Sequence, residues 1–254
     1  MHYWSAVENL GDALAPVIFS WMLEQNGLVN RLPENRYVHL LTVGSVLGGN
    51  SFDATVWGSG IHTIFMANRI HELRRIRKLD IRAVRGPITR DVLLNSGYDC
   101  PEIYGDPGIL MPRIYQPAHC DEKRYEVGMI RNFEKADYYR SIYDKGTLVH
   151  EINVMTTDYK TFIDEIVQCR RIISSSLHGI ILAEAYGIPA VFLMEGMENV
   201  LLKFYDWYFS TGRYSAKAAR TLDEALEMEP MDLPHLEQMA DQLMARFPVD
   251  LWKK

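Results

Sequence analysis

The 254-residue sequence has few cysteines, no long apolar run and no excess of positive charge, and each lack excludes something. The three cysteines are Cys100, Cys120 and Cys169. They are odd in number and without CxxC spacing, which argues against a disulfide framework or a structural zinc and suggests a reducing compartment. No uninterrupted apolar stretch approaches the roughly 20 residues needed to span a bilayer. The best candidate, residues 179–194, is broken by Glu184 and Pro189. The N-terminal MHYWSAVENLGDALAP lacks a basic region followed by an apolar one, so no signal peptide is expected there and the chain reads as cytoplasmic, with peripheral membrane contact still open. A formal net charge of −6 gives no support for nucleic-acid binding. No solenoid repeat or low-complexity tract is present.

What is present is an alternation of short apolar runs with small-residue turns. Tyr37–Val43 reads as a strand ending in Gly44-Ser45, Asp53–Trp57 as one ending in Gly58-Ser59-Gly60, and Ile81–Val84 as one ending in Arg85-Gly86-Pro87. Met1–Ser5 suits an aromatic strand. Leu14, Val17, Ile18, Trp21 and Met22 fit a helix that buries one face, with Pro16 in its first turns and Asn26-Gly27 as its stop. Ile88–Asn95 reads as a second helix, with Gly97 just beyond it. The polar, proline-punctuated residues 112–124 read as a linker, after which the alternation restarts. Tyr125–Ile130 is expected as a strand, 135–143 as a helix, 147–154 as a strand, and a helix follows Thr157-Asp158. Residues 222–247 read as an amphipathic helical tail. The pattern is that of an α/β protein with mostly parallel sheets in two Rossmann-like halves. The expected units are residues 1–115, 120–215 and a helical segment over 216–254.

The most informative stretch is RRIISSSLHGIILAEAYGIP, residues 170–189. Its β-loop-α-β reading places Ser174, Ser175, Ser176, Leu177, His178 and Gly179 at a helix N-terminus, on the carboxyl side of a strand. Free backbone N–H groups and the helix dipole favour an anion there, and open α/β sheets bind ligands at that edge. A capped helix with a histidine near its start is the plainer alternative. Arg69, Arg74, Arg75, Arg77, Lys78, Arg82, Arg85 and Arg90 concentrate positive charge between residues 69 and 90, and residues 222–241 are acidic. Such runs are solvated helix faces, or in the basic case a help in holding an anionic substrate. His62, His71 and His150 have no metal-ligand spacing, so no metal is expected.

Six segments in order carry a resemblance. They are YW with ENLGDAL at the N-terminus, VWGSGI at 56–61, AVRGPITRDVL at 83–93, YGDPGIL at 104–110, RRIISSSLHGIILAEAYGIPAVFL at 170–193 and KFYDWYFSTGR at 203–213. In this order they resemble the polysaccharide pyruvyl transferase family. The resemblance implies an enzyme that moves the enolpyruvyl unit of phosphoenolpyruvate (PEP) onto two hydroxyls of a sugar, as a ketal, and releases phosphate. It implies a cleft between two Rossmann-like halves, similar to B-type glycosyltransferases. The acceptor would be a surface polysaccharide or its lipid-linked precursor, with PEP as a substrate and no cofactor.

By the same resemblance, His178 matches the family histidine thought to meet PEP, Leu177 its neighbour, and Arg85 the arginine of a Val-Arg motif able to grip an oxyanion bidentately. Many relatives carry arginine just before the Leu-His pair; here Ser176 stands in that place. Asp12 is a candidate to take a proton or orient the acceptor, with Asn9 and Gly11 beside it; as an alternative, Asn9 or Asp12 only caps a helix. Gly58, Ser59 and Gly60 line the cleft or merely turn the chain. Arg90 is a weaker candidate. Lys203 and Asp206 fall on one helical face, as substrate contacts or as a surface ion pair. Asp106 reads as a turn residue. The competing functional readings are a nucleotide-sugar glycosyltransferase and a non-catalytic sugar- or anion-binding protein.

Overall fold

The computed structural model describes residues 8–29, 31, 39–118, 123–132, 149–194 and 196–252. They form a mixed α/β fold of the Rossmann-like kind, with two parallel sheets. Strands β1 (His39–Leu41), β2 (Ala54–Trp57) and β3 (Leu79–Ala83) make the first, in that order. An isolated bridge from Val84 to Tyr104 extends it. The second sheet comprises β4 (Tyr125–Ile130), β5 (Val149–Ile152), β6 (Cys169–Ser174), β7 (Ala190–Leu193) and the two-residue β8 (Ala218–Ala219). Its order is β5-β4-β6-β7-β8. The expected strands at 53–57, 81–84 and 125–130 are present within a residue or two. The strand at 37–43 is described from His39 and ends at Leu41. The suggested strand at 1–5 and the helix at 135–143 lie outside the described residues.

Helix α1 (Leu10–Gln25) starts four residues before the first position of its apolar pattern, so Pro16 lies in its interior rather than in its opening turn. Proline there supplies no N–H to the Asp12 carbonyl one turn back. The helix is held by burial of Leu10, Leu14, Ala15, Ile18 and Met22 and by a bond from the Leu10 N–H to the Val154 carbonyl of 2.9 Å. That bond ties the first helix to the segment just after β5 of the second sheet. Helix α2 (Ile64–Leu73) was not anticipated from its sequence as an element. Only Ile70 and Leu73 of it are buried, so its apolar stripe is thin, and the Thr63 side chain caps it through the Met66 N–H. Helix α3 (Pro87–Asn95) has proline at its first position, where the missing N–H costs nothing.

The expected linker is partly helical. A 3₁₀ turn over Pro107–Leu110 runs into α4 (Met111–Ile114), because Ile109, Leu110 and Met111 have apolar surface to bury. Helix α5 (Tyr159–Val167) is capped by Asp158, whose carboxylate accepts from the Thr161 N–H and hydroxyl. Helix α6 (Leu177–Ala185) is buried on every side from Leu177 through Glu184, and it sits at the centre of the molecule. Helix α7 (Leu201–Ser210) packs against α3. The tail is not one helix: α8 (Leu222–Glu227) and α9 (Glu237–Ala245) are separated by residues 228–236, where Pro230 and Pro234 interrupt the ladder.

One apolar cluster joins α1, α5, α6 and α7 to Trp57 and Ala83 of the first sheet and to Leu243, Phe247 and Trp252 near the C-terminus. Trp57 donates its indole N–H to the Leu243 carbonyl at 2.8 Å and meets Phe247 edge-on. A polar clasp sits inside this cluster. Glu184 on α6 accepts from both terminal nitrogens of Arg213, at 2.5 and 2.9 Å, and from the Trp207 indole at 2.8 Å. Breaking a buried pair strands the remaining charge and costs about 3 kcal/mol or more. Arg213→Met is therefore expected to lose about 3 kcal/mol of unfolding free energy in urea titration; a loss below about 1 kcal/mol would show that Glu184 is held without Arg213.

Candidate active site

The loops at the carboxyl ends of β1, β2, β3, β4 and β6 meet the start of α1 and one turn of α7 around a cavity of about 260 Å³. Its lining includes Asn9, Asp12, Ser45, His62, Arg85, Asn132, Ser176, His178 and Lys203. This is the sheet edge where parallel α/β folds gather ligand groups.

Arg85 follows β3 and is fully buried. Its Nε stands 3.3 Å from Asp206 Oδ2, one terminal nitrogen donates to the Ser45 hydroxyl at 2.9 Å, and the other donates to the Ile61 carbonyl. A guanidinium has five N–H donors, so each terminal nitrogen keeps one more beyond these bonds, and Arg85 lines the cavity. The arginine also fills the space above Gly60: a Cβ there would come within 2.5 Å of the guanidinium carbon. Asp206 lies behind it, fully buried, and accepts from the Thr89 N–H at 3.0 Å and hydroxyl at 2.6 Å. Burial pushes the Asp206 carboxyl up, while Arg85 and Thr89 pull against that. Asp206 does not line the cavity; Lys203, one turn earlier on α7, does.

His178, in the first turn of α6, faces the carboxylate of Asp106. Its Nε2 is 3.5 Å from Asp106 Oδ2. On the other side the ring lies against Gly11, where a Cβ would come within 2.0 Å of Nδ1, so the glycine of the α1 motif is the histidine's berth. Asp12 accepts from the Asn9 side chain at 2.6 Å. Asn9 therefore serves Asp12 rather than capping α1 with its own side chain. Burial raises the Asp12 carboxyl above its ordinary value, opposed by His178, Asn9 and Lys203 and assisted by Asp106.

The three serines divide their work. Ser174 Oγ donates to the Ser176 carbonyl at 2.8 Å and accepts from the Ser176 N–H at 3.0 Å. Ser175 Oγ accepts from the Asn132 N–H at 2.9 Å. These two shape the turn, and Ser176 lines the cavity. A Cβ on Gly179 would lie 2.4 Å from Ser174 Oγ. Gly58 and Ser59 are likewise below the cavity, with the Ser59 hydroxyl donating to the Gly44 carbonyl at 2.9 Å. Arg90 reaches the Cys100 carbonyl at 3.2 Å, away from the site. Of the basic run, Arg77 is buried and holds the carbonyls of Leu47 and Asn50, Arg74 binds the Gly97 carbonyl, and Arg82 pairs with Asp80 and Asp250. Among these arginines only Arg85 lines the cavity.

Ser45, His62 and Asn132 were not among the sequence candidates. Each lies within or shortly after a motif or strand end (the β1 turn, GSGI and β4), which is the signal that would have found them. Burial, then the charges of Lys203 and Arg85, lower His62 to about 4, so it is neutral at pH 7. Its unfolded form takes up a proton near pH 6.5, its folded form only near 4, so folding loses stability as pH falls through that window. His62→Gln is expected to lose less stability than wild type between pH 7 and pH 4.5 in urea titration; parallel losses would exclude His62 as a source of the acid sensitivity.

The sequence model of polysaccharide pyruvyl transferases matches residues 50–195, more than half of the chain. An uncharacterized protein of Acanthamoeba polyphaga mimivirus is 29% identical over 177 residues, which cover 66% of this chain and 58% of that relative's length. The match to the family model includes Arg85 and His178, whereas Asp12 and Lys203 fall outside it.

Proposed function

The chain belongs to the polysaccharide pyruvyl transferase family, and on that premise we propose that the cavity binds phosphoenolpyruvate and transfers its pyruvyl unit to a sugar as a ketal. The observation that carries this reading is the convergence of Arg85, Lys203, His178 and Asp12 on one small space. The donor brings a carboxylate and a phosphate on one enol carbon, so a site for it needs fixed cations and groups that move protons. Arg85 and Lys203 supply the cations, and the start of α6 adds backbone N–H groups. The volume, about 260 Å³, suits a ligand of that size.

Two sugar hydroxyls each give up a proton. In the first half, one hydroxyl oxygen bonds to C2 as C3 gains a proton and becomes a methyl group. The C2–O bond to phosphate then breaks, the second hydroxyl oxygen takes its place, and the second proton leaves with the phosphate as hydrogen phosphate. In this scheme His178 receives a hydroxyl proton and passes it on. Asp12, whose raised carboxyl is suited to carrying a proton, lines the same cavity. Arg85 holds the oxyanions while charge moves. The acceptor is read as a sugar of a surface polysaccharide, free or as a lipid-linked precursor met at the inner membrane face. Among the described residues no helix is long and apolar enough to cross a membrane. PEP is a substrate here, and the scheme uses no resident cofactor.

Incubation with PEP and a panel of glycans is expected to release one phosphate for each sugar that gains a ketal by mass. His178→Ala should lower turnover by about 10²-fold or more, and Ser176→Arg should lower KM for PEP by adding a cation at the α6 start. Release of nucleoside diphosphate from a nucleotide sugar, with PEP left intact, would replace this reading with glycosyl transfer. Tight glycan binding without turnover on any acceptor would replace it with a binding protein.

A further inference from the structure

Asp106 is completely buried and uses only one of its carboxylate oxygens within its own loop. Oδ1 accepts from the Gly108 N–H at 2.9 Å and so closes the turn of GDPG. Oδ2 is buried and has no hydrogen-bond donor within bonding geometry; the group that faces it is His178 Nε2, at 3.5 Å. Nε2 is itself buried without another partner. Two buried polar atoms, each otherwise unsatisfied, therefore confront each other across a gap slightly longer than a hydrogen bond. Turn closure needs only Oδ1 and does not explain why a carboxylate is aimed at the ring.

We propose that Asp106 is the positioning residue for His178, a ring that lines the cavity: it accepts the Nε2 proton and so fixes the tautomer whose lone pair is on Nδ1, the nitrogen on the Gly11 side. This rests on the reading of His178 as the proton-transfer group. The charge of Asp106 decides the direction of the bond. Burial alone would raise its carboxyl, but the His178 charge and contact, the Gly108 N–H and the Arg85 charge outweigh burial and hold it below its ordinary value. An ionised carboxylate only accepts, so Nε2 must carry the hydrogen. The ring nitrogen left to react is then set by the bond at the other nitrogen. When Nδ1 takes a hydroxyl proton, the imidazolium forms beside a fixed negative charge. The other groups around the ring are Asp12 on α1, Arg85 after β3, His62 after β2 and Lys203 on α7; none of them is paired with Nε2. The glycine at position 11 is part of the same device, because a Cβ there would overlap the ring where it now lies.

The test reads the ring directly. Long-range ¹H–¹⁵N NMR of the free full-length protein reports the tautomer of each neutral histidine, and the His178 signals are identified by their loss in His178→Ala. Wild type is expected to show the Nε2–H form. In Asp106→Asn, Oδ1 still accepts from Gly108 while the amide presents an N–H to Nε2, so the ring should switch to Nδ1–H. In the same variant kcat should fall about 10- to 100-fold with KM for PEP within about 3-fold. A wild-type Nδ1–H form, an unswitched ring in Asp106→Asn, or a switched ring with unchanged kcat would each overturn the proposal. Should Asp106→Asn not fold, the wild-type tautomer decides alone. Because that spectrum needs no turnover, a failure of the PEP assay would leave this inference standing or falling on its own result.

Discussion

A guanidinium with no exposed surface is the condition on which the rest of the site depends. Arg85 is worth having in the protein interior only if its charge is balanced and its donors are used, since an unpaired buried charge costs several kcal/mol. Asp206 supplies the balance from α7, and Thr89 steadies Asp206 from α3. Ser45 and Ile61 take donors on the other side. Four chain segments are thereby drawn to one point, and the cavity is the space they leave. The close α3–α7 contact follows from this too, because a Cβ on Gly86 would meet the Asp206 carbonyl at 2.0 Å.

The same economy runs through the histidine side. His178 is aimed by Asp106 and given room by Gly11, while the start of α1 is held in place by a bond to Val154, just after β5 of the second sheet. Position along the chain is thus a poor guide to place in the fold. The first helix works with the second sheet, and the last helix packs on Trp57 of the first. The cavity inherits its walls from both.

Much of this was legible in the residues, for physical reasons that differ by element. Strands at 53–57, 81–84 and 125–130 announce themselves because apolar runs end in glycine or asparagine-bearing turns, and the unit at 169–193 does so because strand, serine turn and helix follow without interruption. The ordered motifs made the cavity's main residues readable as well: Arg85, His178 and Asp12 all line it. Helix α2 stayed hidden because it buries only two side chains, and the break in the tail was blurred by apolar spacing on either side of Pro230 and Pro234. Asp206 read as a substrate contact or a surface partner of Lys203, and it is neither, since spacing on a helix does not tell which of two faces is inward. Three-dimensional partners are what spacing omits, and Asp106 is the clearest instance: its turn-forming half is local, its histidine-facing half spans 72 residues of chain.

The fit between glycine and ring has a consequence for how such a chain can diverge. Gly11 and His178 occupy one volume, as do Gly60 and Arg85. A lineage that abandoned the chemistry by losing the histidine would also release position 11, and alanine or serine would be free to enter it. While the imidazole remains, that position is closed to every side chain. The two positions are therefore coupled: on this backbone a side chain at position 11 requires that the imidazole be absent or moved.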